Sequence, residues 1–286
     1  MNKILLCTDG SAHATVVYQY AAWLAGRIEL EIEVLYVSDE RAEKAVQTND
    51  FSGSIGIDSY QKLLGELVEL EAQKAKIDRR KAKIILQEAE SFLEKRDINN
   101  VKLTHETGFL VDLFHEFEEN KDLIILGKRG ENADFATEHL GSNLERILRL
   151  THKPCLVTPR EFRNVNRVLL AYDGGESCQK ALEYLADSAI FKDLELHIVY
   201  VKDREAEKAL ERIQVAESIL KQSGFSPICE VLEGNLETVM EEYIAEKNID
   251  FLLMGAYGHS RIRRLIIGST TAQMLRSSHI PVLLFR

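Results

Sequence analysis

The residues best suited to chemistry in this sequence lie in a glycine-rich segment near its C-terminus. Gly255, Gly258 and Gly268 follow the spacing Gly-x2-Gly-x9-Gly, and Ser269 and Thr270 come directly after them. Glycine lets a chain turn sharply and lets a ligand approach bare backbone. Hydroxyl groups and the unpaired N–H groups of a helix N-terminus donate hydrogen bonds to anions. The segment therefore predicts a phosphate-binding site.

Basic side chains fill the stretch between the second and third glycines. Its polar and charged residues include His259, Ser260, Arg261, Arg263 and Arg264, and positive charge favours the binding of phosphate. At a glycine frequency of about 7%, three glycines at these offsets arise by chance in roughly 0.1 of chains of this length. The spacing is therefore an informative signal, and the apolar run that precedes Gly255 strengthens it.

An acidic residue, Asp173, ends an apolar run earlier in the same half of the chain. Ligands of open parallel sheets bind beyond the carboxyl ends of the strands, where the strand order reverses. If the strand order is 3-2-1-4-5, that crevice lies between Asp173 and Gly255. A carboxylate there can accept hydrogen bonds from sugar hydroxyls. The alternative interpretation of Asp173 and Gly174 is a simple turn with a helix cap.

The elements that position these residues occur twice in the chain. Residues 2–10 resemble residues 166–174, and similar pairs follow at 122–127 and 250–255 and at 152–157 and 279–284. A repeat of this length indicates two copies of one domain. We predict domains at 1–160 and 161–286, joined by a linker at 161–166.

Strand-like and helix-like runs alternate throughout both halves, which is typical of a parallel sheet covered by helices. The fold class predicted is α/β, with two tandem Rossmann-like domains that each contain a five-stranded parallel sheet of order 3-2-1-4-5. Predicted strands lie near 3–8, 31–37, 101–106, 122–127, 154–158, 166–172, 194–201, 227–232, 250–255 and 281–285. Predicted helices lie near 12–26, 60–97, 109–120, 142–152, 176–189, 204–223, 235–247 and 268–278.

The first half carries an insertion. Asp39 and Asp122 are 83 positions apart, whereas Asp203 and Asp250 are 47 apart, a difference of 36. The insertion falls at about 40–80 and predicts a Ser/Gly-rich loop at 51–57 and a lengthened helix. An apolar stripe along that helix predicts packing on the sheet, and a coiled-coil or partner-binding role is the alternative. The stripe comprises Leu63, Leu64, Leu67, Leu70, Ile77, Ile84, Ile85, Phe92 and Leu93.

Composition excludes several classes of protein. The 286 residues have a net charge of −10, which opposes nonspecific binding to nucleic acid. No apolar run approaches 18 residues and no signal-peptide core is present, so we expect a cytoplasmic protein without membrane insertion. The four cysteines lack CxxC spacing and predict small core residues, and the eight histidines form no His-x3-His pair, so no metal site is expected.

These motifs and the repeat resemble the universal stress protein family in its tandem form, over nearly the whole chain. The resemblance implies the adenine nucleotide alpha hydrolase-like variety of the Rossmann fold and a site for ATP or AMP, with Mg²⁺ as a possible companion ion. In that family the Asp after strand one and the glycine-rich segment bind the nucleotide, and a Val ending strand two holds adenine through its backbone. The matching positions in the second half are Ala171, Tyr172, Asp173, Val201, Gly255, Ala256, Gly258, His259, Ser260, Arg261, Gly268, Ser269 and Thr270. The counterparts in the first half are Asp9, Val37, Gly127, Gly130, Gly141, Ser142 and Asn143.

The first half departs from the family pattern. Ten residues rather than nine separate Gly130 from Gly141, and Glu131, Asp134 and Glu138 replace the arginines. Carboxylates repel a triphosphate unless a metal intervenes. Lys128 and Arg129 could compensate in part. We therefore predict that the second half is the main nucleotide site.

The leading hypothesis is a stress-response regulatory protein in which ATP or AMP acts as a conformational or partner-binding signal. Phosphate-loop, kinase and nucleophile-elbow signatures are missing from the sequence, and no catalytic residue is proposed. The alternatives are a slow ATPase or phosphotransferase and an interaction module without nucleotide dependence. The expected partners are an adenine nucleotide, an unidentified protein and a second copy of the chain in a homodimer. Within the chain, the last strands at 155–157 and 282–285 should pair antiparallel, because each is otherwise an exposed apolar edge.

Overall fold

The computed structural model describes residues 3–39, 57–128, 140–202, 206–256 and 269–286, and strands and helices alternate along them. The first half contains β1 Lys3–Thr8, α1 Ala14–Ala25, β2 Glu31–Asp39, α2 Ile57–Glu94, β3 Val101–Gly108, α3 Leu110–Glu118, β4 Leu123–Gly127, α4 Ser142–Leu150 and β5 Cys155–Thr158. The second half contains β6 Arg167–Ala171, α5 Glu176–Asp187, a 3₁₀ turn at Ala189–Phe191, β7 Glu195–Lys202, α6 Ala206–Gln222, β8 Ile228–Glu233, α7 Leu236–Glu246, β9 Phe251–Gly255, α8 Ser269–Ser277 and β10 Val282–Phe285. Each predicted element is present and differs from its prediction by a few residues at the ends, where helices and strands fray.

All ten strands form one sheet, of order β3-β2-β1-β4-β5-β10-β9-β6-β7-β8. Each half therefore has the predicted order 3-2-1-4-5, with parallel pairing throughout. The halves meet where β5 and β10 pair antiparallel, with Leu156 opposite Leu283 and Cys155 opposite Leu284. The predicted pairing of the last strands is confirmed, and it removes two apolar edges from solvent.

Alternation along the strands builds an apolar core on each face of the sheet. On β1, Ile4 and Leu6 contribute to one core, whereas Leu5 and Cys7 contribute to the other. Because the sheet is continuous, each core runs through both halves of the chain. The ring of Trp23 on α1 lies 5.7 Å from that of Phe251 on β9, so a helix of the first half packs against the second.

The long helix α2 packs on the sheet along only part of its length. Ala82, Ile85, Leu86, Ala89 and Leu93 are buried. Between residues 65 and 81 every side chain is exposed except Asp78, which is half-buried. The predicted packing on the sheet is therefore confirmed for Ile85, Phe92 and Leu93. It is wrong for the exposed Leu67, Leu70, Ile77 and Ile84, and the side chains of Leu63 and Leu64 lie outside the described residues.

Two matching strand positions carry buried polar side chains with several partners. On β2, the carboxylate of Glu33 lies 2.7 Å from the Lys121 ammonium and 2.8 Å from that of Lys102. On β7, the His197 ring lies 2.9 Å from the Tyr243 hydroxyl and 2.9 Å from the Glu195 carboxylate. Each buried group thus keeps the hydrogen-bond partners that burial demands.

Candidate functional site

A carboxylate at the end of β6 orders the loop that leads into α5. Asp173 Oδ1 accepts a hydrogen bond of 2.7 Å from the backbone N–H of Gly175. Gly174 has a φ of +73°, a conformation that favours glycine. Gly175 is the N-cap residue of α5, so the same carboxylate bonds the backbone at the start of the helix, and the alternative of a turn with a helix cap describes the local structure.

Arg212, which sequence reasoning missed, holds the same loop from α6. Its Nη1 donates to the backbone carbonyl of Asp173 at 2.9 Å and to the Tyr200 hydroxyl at 3.1 Å. A Cβ at Gly174 would lie 2.7 Å from Arg212 Cδ, so any larger residue there would have to displace this side chain. A signal existed in the sequence, because Arg212 lies three residues after Ala209 and four before Ala216, on the apolar stripe of α6.

The corresponding loop in the first half is held differently. Asp9 Oδ1 accepts a 2.9 Å hydrogen bond from the backbone N–H of Ser11, and Gly10 has a φ of +69°. A Cβ at Gly10 would lie 2.5 Å from Ile85 of α2. The two Asp-Gly loops therefore share their backbone conformation, but an apolar side chain contacts the glycine in one and a guanidinium contacts it in the other.

Gly255, at the end of β9, permits a close approach between strand and helix. A Cβ there would lie 3.0 Å from Ser177 Cβ and 3.1 Å from Cys178 Sγ, in the first turn of α5. Close packing is thus a reason for this glycine besides access for a ligand. Burial first, and then the charge of Asp173, raises the pKa of the Cys178 thiol to about 12, so the thiol stays protonated and donates to the Ala171 carbonyl at 3.3 Å.

The start of the glycine-rich segment is fixed to the last strand and the last helix. The backbone N–H of Ala256 donates to the Phe285 carbonyl at 2.7 Å. The Thr271 hydroxyl donates to the Ala256 carbonyl at 3.0 Å, and Thr271 lies in the first turn of α8. The N-terminal turn of α8 therefore lies beside the carboxyl end of β9, which is next to β6 in the sheet.

The remaining predicted site residues of the second half divide into two groups. Ala171 and Val201 pack against the same apolar core as Ala256, whereas the Tyr172 ring is buried in the core on the opposite face. Tyr172 also donates its N–H to the Val199 carbonyl and its hydroxyl to Gln179. The structure thus brings Ala171, Asp173 and Ala256 to one end of neighbouring strands. The side chain of Ser269 and the whole of Gly258, His259, Ser260, Arg261 and Gly268 lie outside the described residues.

The first-half counterparts are arranged on the same plan. Val37 lies on β2, Gly127 ends β4, and Gly141 precedes α4, in whose first turn Asn143 lies. Gly130, the side chain of Ser142 and the acidic positions Glu131, Asp134 and Glu138 lie outside the described residues.

Lys128, expected to offset the acidic loop of the first half, contacts the second half instead. Its ammonium donates to the backbone carbonyls of Arg276 and, at 3.0 Å, Ser278 at the C-terminus of α8. In return, Arg286 donates to the Arg149 carbonyl at 2.6 Å, at the C-terminus of α4. Cations at helix C-termini are favourable because they oppose the negative end of the helix dipole. Lys128 therefore joins the two halves and stabilises the helix whose N-terminus belongs to the candidate site.

No helix in the described ranges combines the length and apolarity needed to cross a bilayer. No group of three or more His, Cys, Asp or Glu side chains in the same ranges is arranged to hold a metal ion.

Comparisons with known proteins agree with this architecture. The chain matches the universal stress protein family twice, over residues 1–159 and 164–286. It is 51% identical over 287 residues to the universal stress protein Slr1230 of Synechocystis, with 100% of both chains covered. The chain therefore belongs to the universal stress protein family and carries two tandem domains of it.

Solved structures show the same fold over the full length. A universal stress protein from Archaeoglobus fulgidus matches with a TM-score of 0.72 and 25% identity, covering 100% of this chain and 98% of its own. A putative universal stress protein from Pseudomonas aeruginosa matches with a TM-score of 0.63 and 14% identity, covering 100% and 93%, and shows the fold alone.

Proposed function

We propose that the second half binds ATP or AMP and that occupancy of this site is a regulatory signal. The observation that carries the proposal is the position of Asp173 just after β6 and of Gly255 at the end of the adjacent strand β9. The strand order reverses between these two strands, and ligands of open α/β sheets bind at such a point.

The residues present suit each part of an adenine nucleotide. The N-terminal turn of α8 offers unpaired backbone N–H groups and the positive end of the helix dipole to phosphate. The carboxylate of Asp173 can accept hydrogen bonds from ribose hydroxyls, and the backbone of Val201 can hold adenine. Gly258, His259, Ser260, Arg261 and Gly268 are assigned to phosphate from the sequence alone.

The first half is proposed to bind nucleotide weakly or not at all. Its glycine-rich segment is one residue longer and acidic. Ile85 lies against Gly10 where Arg212 lies against Gly174, and Lys128 is bonded to the other half of the chain. Each difference reduces the positive charge available to a phosphate group there.

A signalling role fits this chemistry better than rapid turnover. Backbone amides, hydroxyls and a ribose-binding carboxylate hold a nucleotide, but hydrolysis also requires a base within hydrogen-bond reach of the attacking water. We therefore expect hydrolysis to be absent or slow. Steady turnover near the enzyme median of about 10 per second, retained at high purity, would favour the ATPase instead.

Nucleotide released from the protein tests the proposal directly. Denaturing the purified chain and separating the supernatant by chromatography should yield ATP or AMP. Calorimetry of the stripped protein, with and without Mg²⁺, should give one site per chain. Two equivalent sites would contradict the assignment to the second half, and failure to bind either nucleotide would favour an interaction module.

A further inference from the structure

The N-terminal part of α2 carries large apolar side chains on its solvent-exposed surface. Leu67, Leu70, Ile77 and Ile84 are 44%, 61%, 67% and 58% exposed. Most helix stability in water comes from packing an amphipathic face, yet between residues 65 and 81 every described side chain of α2 except Asp78 is exposed. Contiguous exposed apolar surface marks an interaction site, so this part of α2 calls for a partner.

The spacing of these residues is that of a coiled coil. Leu63, Leu67, Leu70, Lys74, Ile77, Lys81 and Ile84 are separated alternately by four and three positions. They occupy the a and d positions of a heptad, with lysine at two of the a positions. A polar residue at an a position reduces stability but restricts the register and the number of strands. We call residues 63–84 the heptad segment.

Charge changes sign along the heptad segment and selects the orientation of a partner helix. The acidic residues Glu66, Glu69 and Glu71 lie before residue 73, and the basic residues Lys74, Lys76, Arg79, Arg80, Lys81 and Lys83 lie after it, with Asp78 among them. In an antiparallel pair, the acidic part of each copy would lie against the basic part of the other. A parallel copy would bring like charges together and oppose Glu66 at a g position to Glu71 at an e position.

The protein's last strands cannot supply the contact for a second copy. Strands β5 and β10, which would otherwise be free edges, pair with each other within one chain. Association of two chains would therefore use another surface. From residue 65 to residue 84 the heptad segment is exposed except at Asp78 and Ala82, and it carries an apolar seam and complementary charge.

We propose that the heptad segment pairs with the same segment of a second copy as an antiparallel two-stranded coiled coil. With the twofold axis near Ala72, Leu67 faces Ile77 of the second copy. The g position Glu66 then lies opposite Arg80 of the second copy, and this ion pair occurs twice by symmetry. The inference does not depend on nucleotide binding.

Self-association of the full chain tests the proposal. Sedimentation velocity over a range of protein concentrations should show a dimer for the wild type. Leu67→Glu with Ile77→Glu should weaken association by at least about 100-fold, since Leu67 and Ile77 face each other twice by symmetry and each lost apolar contact is worth roughly a factor of ten. Both side chains are exposed, so the change should not disturb the folded chain. The unfolding temperature of the variant should equal that of the wild type at concentrations where the wild type is dissociated.

A matched control and a charge exchange make the test specific. Ala72→Glu, at an outward f position of the same helix, should leave the dimer intact. Glu66→Arg and Arg80→Glu should each weaken the dimer, and the two together should restore it. A wild-type monomer at all concentrations, a dimer that survives the Leu67→Glu/Ile77→Glu change, or failure of the double charge exchange to restore association would overturn the proposal. Gly268→Asp should leave the dimer unchanged, which separates this test from that of the nucleotide site.

Discussion

The guanidinium of Arg212 lies 2.9 Å from the backbone carbonyl oxygen of Asp173 and joins α6 to the loop after β6. The same nitrogen lies 3.1 Å from the hydroxyl of Tyr200 on β7. Three elements of the second half are thus held together directly beneath the carboxylate proposed to bind ribose. In the first half, Ile85 contacts the corresponding glycine but can donate no hydrogen bond.

Arg212→Met should weaken nucleotide binding about tenfold. The change removes a charged donor from the Asp173 carbonyl, and hydrogen bonds to charged groups are worth about 1.5–3 kcal/mol. Calorimetric titration with ATP or AMP measures the effect. Lys221→Met, which removes an exposed cation from the same helix, is the control and should leave affinity unchanged. Equal affinity of the two variants would mean that Arg212 does not position Asp173.

Gly268→Asp should abolish nucleotide binding, whereas Gly141→Asp should have little effect. The first change puts a carboxylate at the proposed phosphate site before α8, and like charges repel most strongly where water is excluded. The second change is its counterpart before α4. Titration of both variants is the measurement, and loss of binding in the Gly141 variant alone would reverse the assignment of the site.

Stability should fall in acid through the buried carboxylate of Glu33. Burial would raise the pKa of Glu33, but hydrogen bonds from Lys102, Lys121 and Thr104 outweigh it and lower the pKa to about 2 from 4.5. A carboxyl group with a depressed pKa in the folded state stabilises the fold above its unfolded pKa. This contribution, about 3 kcal/mol at most, is lost as the pH falls from about 4.5 to about 2.

Glu33→Gln provides the comparison for that pH dependence. The variant should be about 3–5 kcal/mol less stable near neutral pH, because the Lys121 ammonium is left buried without its counter-ion. Its stability should also change less between pH 4.5 and 2. Chemical denaturation at several pH values measures both effects, and Glu31→Gln, which alters an exposed ion pair with Lys3, should behave like the wild type. Parallel pH profiles for Glu33→Gln and the wild type would refute the prediction.

Leu283→Lys with Leu284→Lys should loosen the two halves or precipitate the protein. Both leucines are buried on β10 opposite Leu156 and Cys155 of β5, and a buried unpaired charge costs several kcal/mol. Size-exclusion chromatography and thermal unfolding report the change. Val215→Lys, at an exposed position of α6, is the control. A double variant as compact, soluble and stable as the wild type would show that the strand contact is not needed.

The strands and their order could be predicted because their signals are local. Buried parallel strands appear as apolar runs such as Leu123–Leu126, with turn residues on either side. Repetition of the whole pattern fixed the number of domains. Pairing of β5 with β10 followed from the physics of an apolar edge, since unpaired backbone groups on such an edge attract another strand.

The contacts around the site could not be predicted in the same way. Arg212 is 39 positions from Asp173, and Lys128 bonds to a carbonyl 150 positions away. A long side chain has many possible partners until packing fixes the direction of its helix. The division of the α2 apolar stripe into a buried and an exposed part could not be predicted either, because the spacing of its apolar residues is similar in both parts.

The sequence by itself determined the repeat, the α/β class and the residue types offered to a phosphate group, since all of these depend on local periodicity and composition. Only the tertiary structure decided which side chain lies against each Asp-Gly loop and where α2 leaves the sheet. It also decided that a cation of one half caps the last helix of the other. Those outcomes depend on distances between elements far apart in the chain, and such distances are set when the two cores pack together on one continuous sheet.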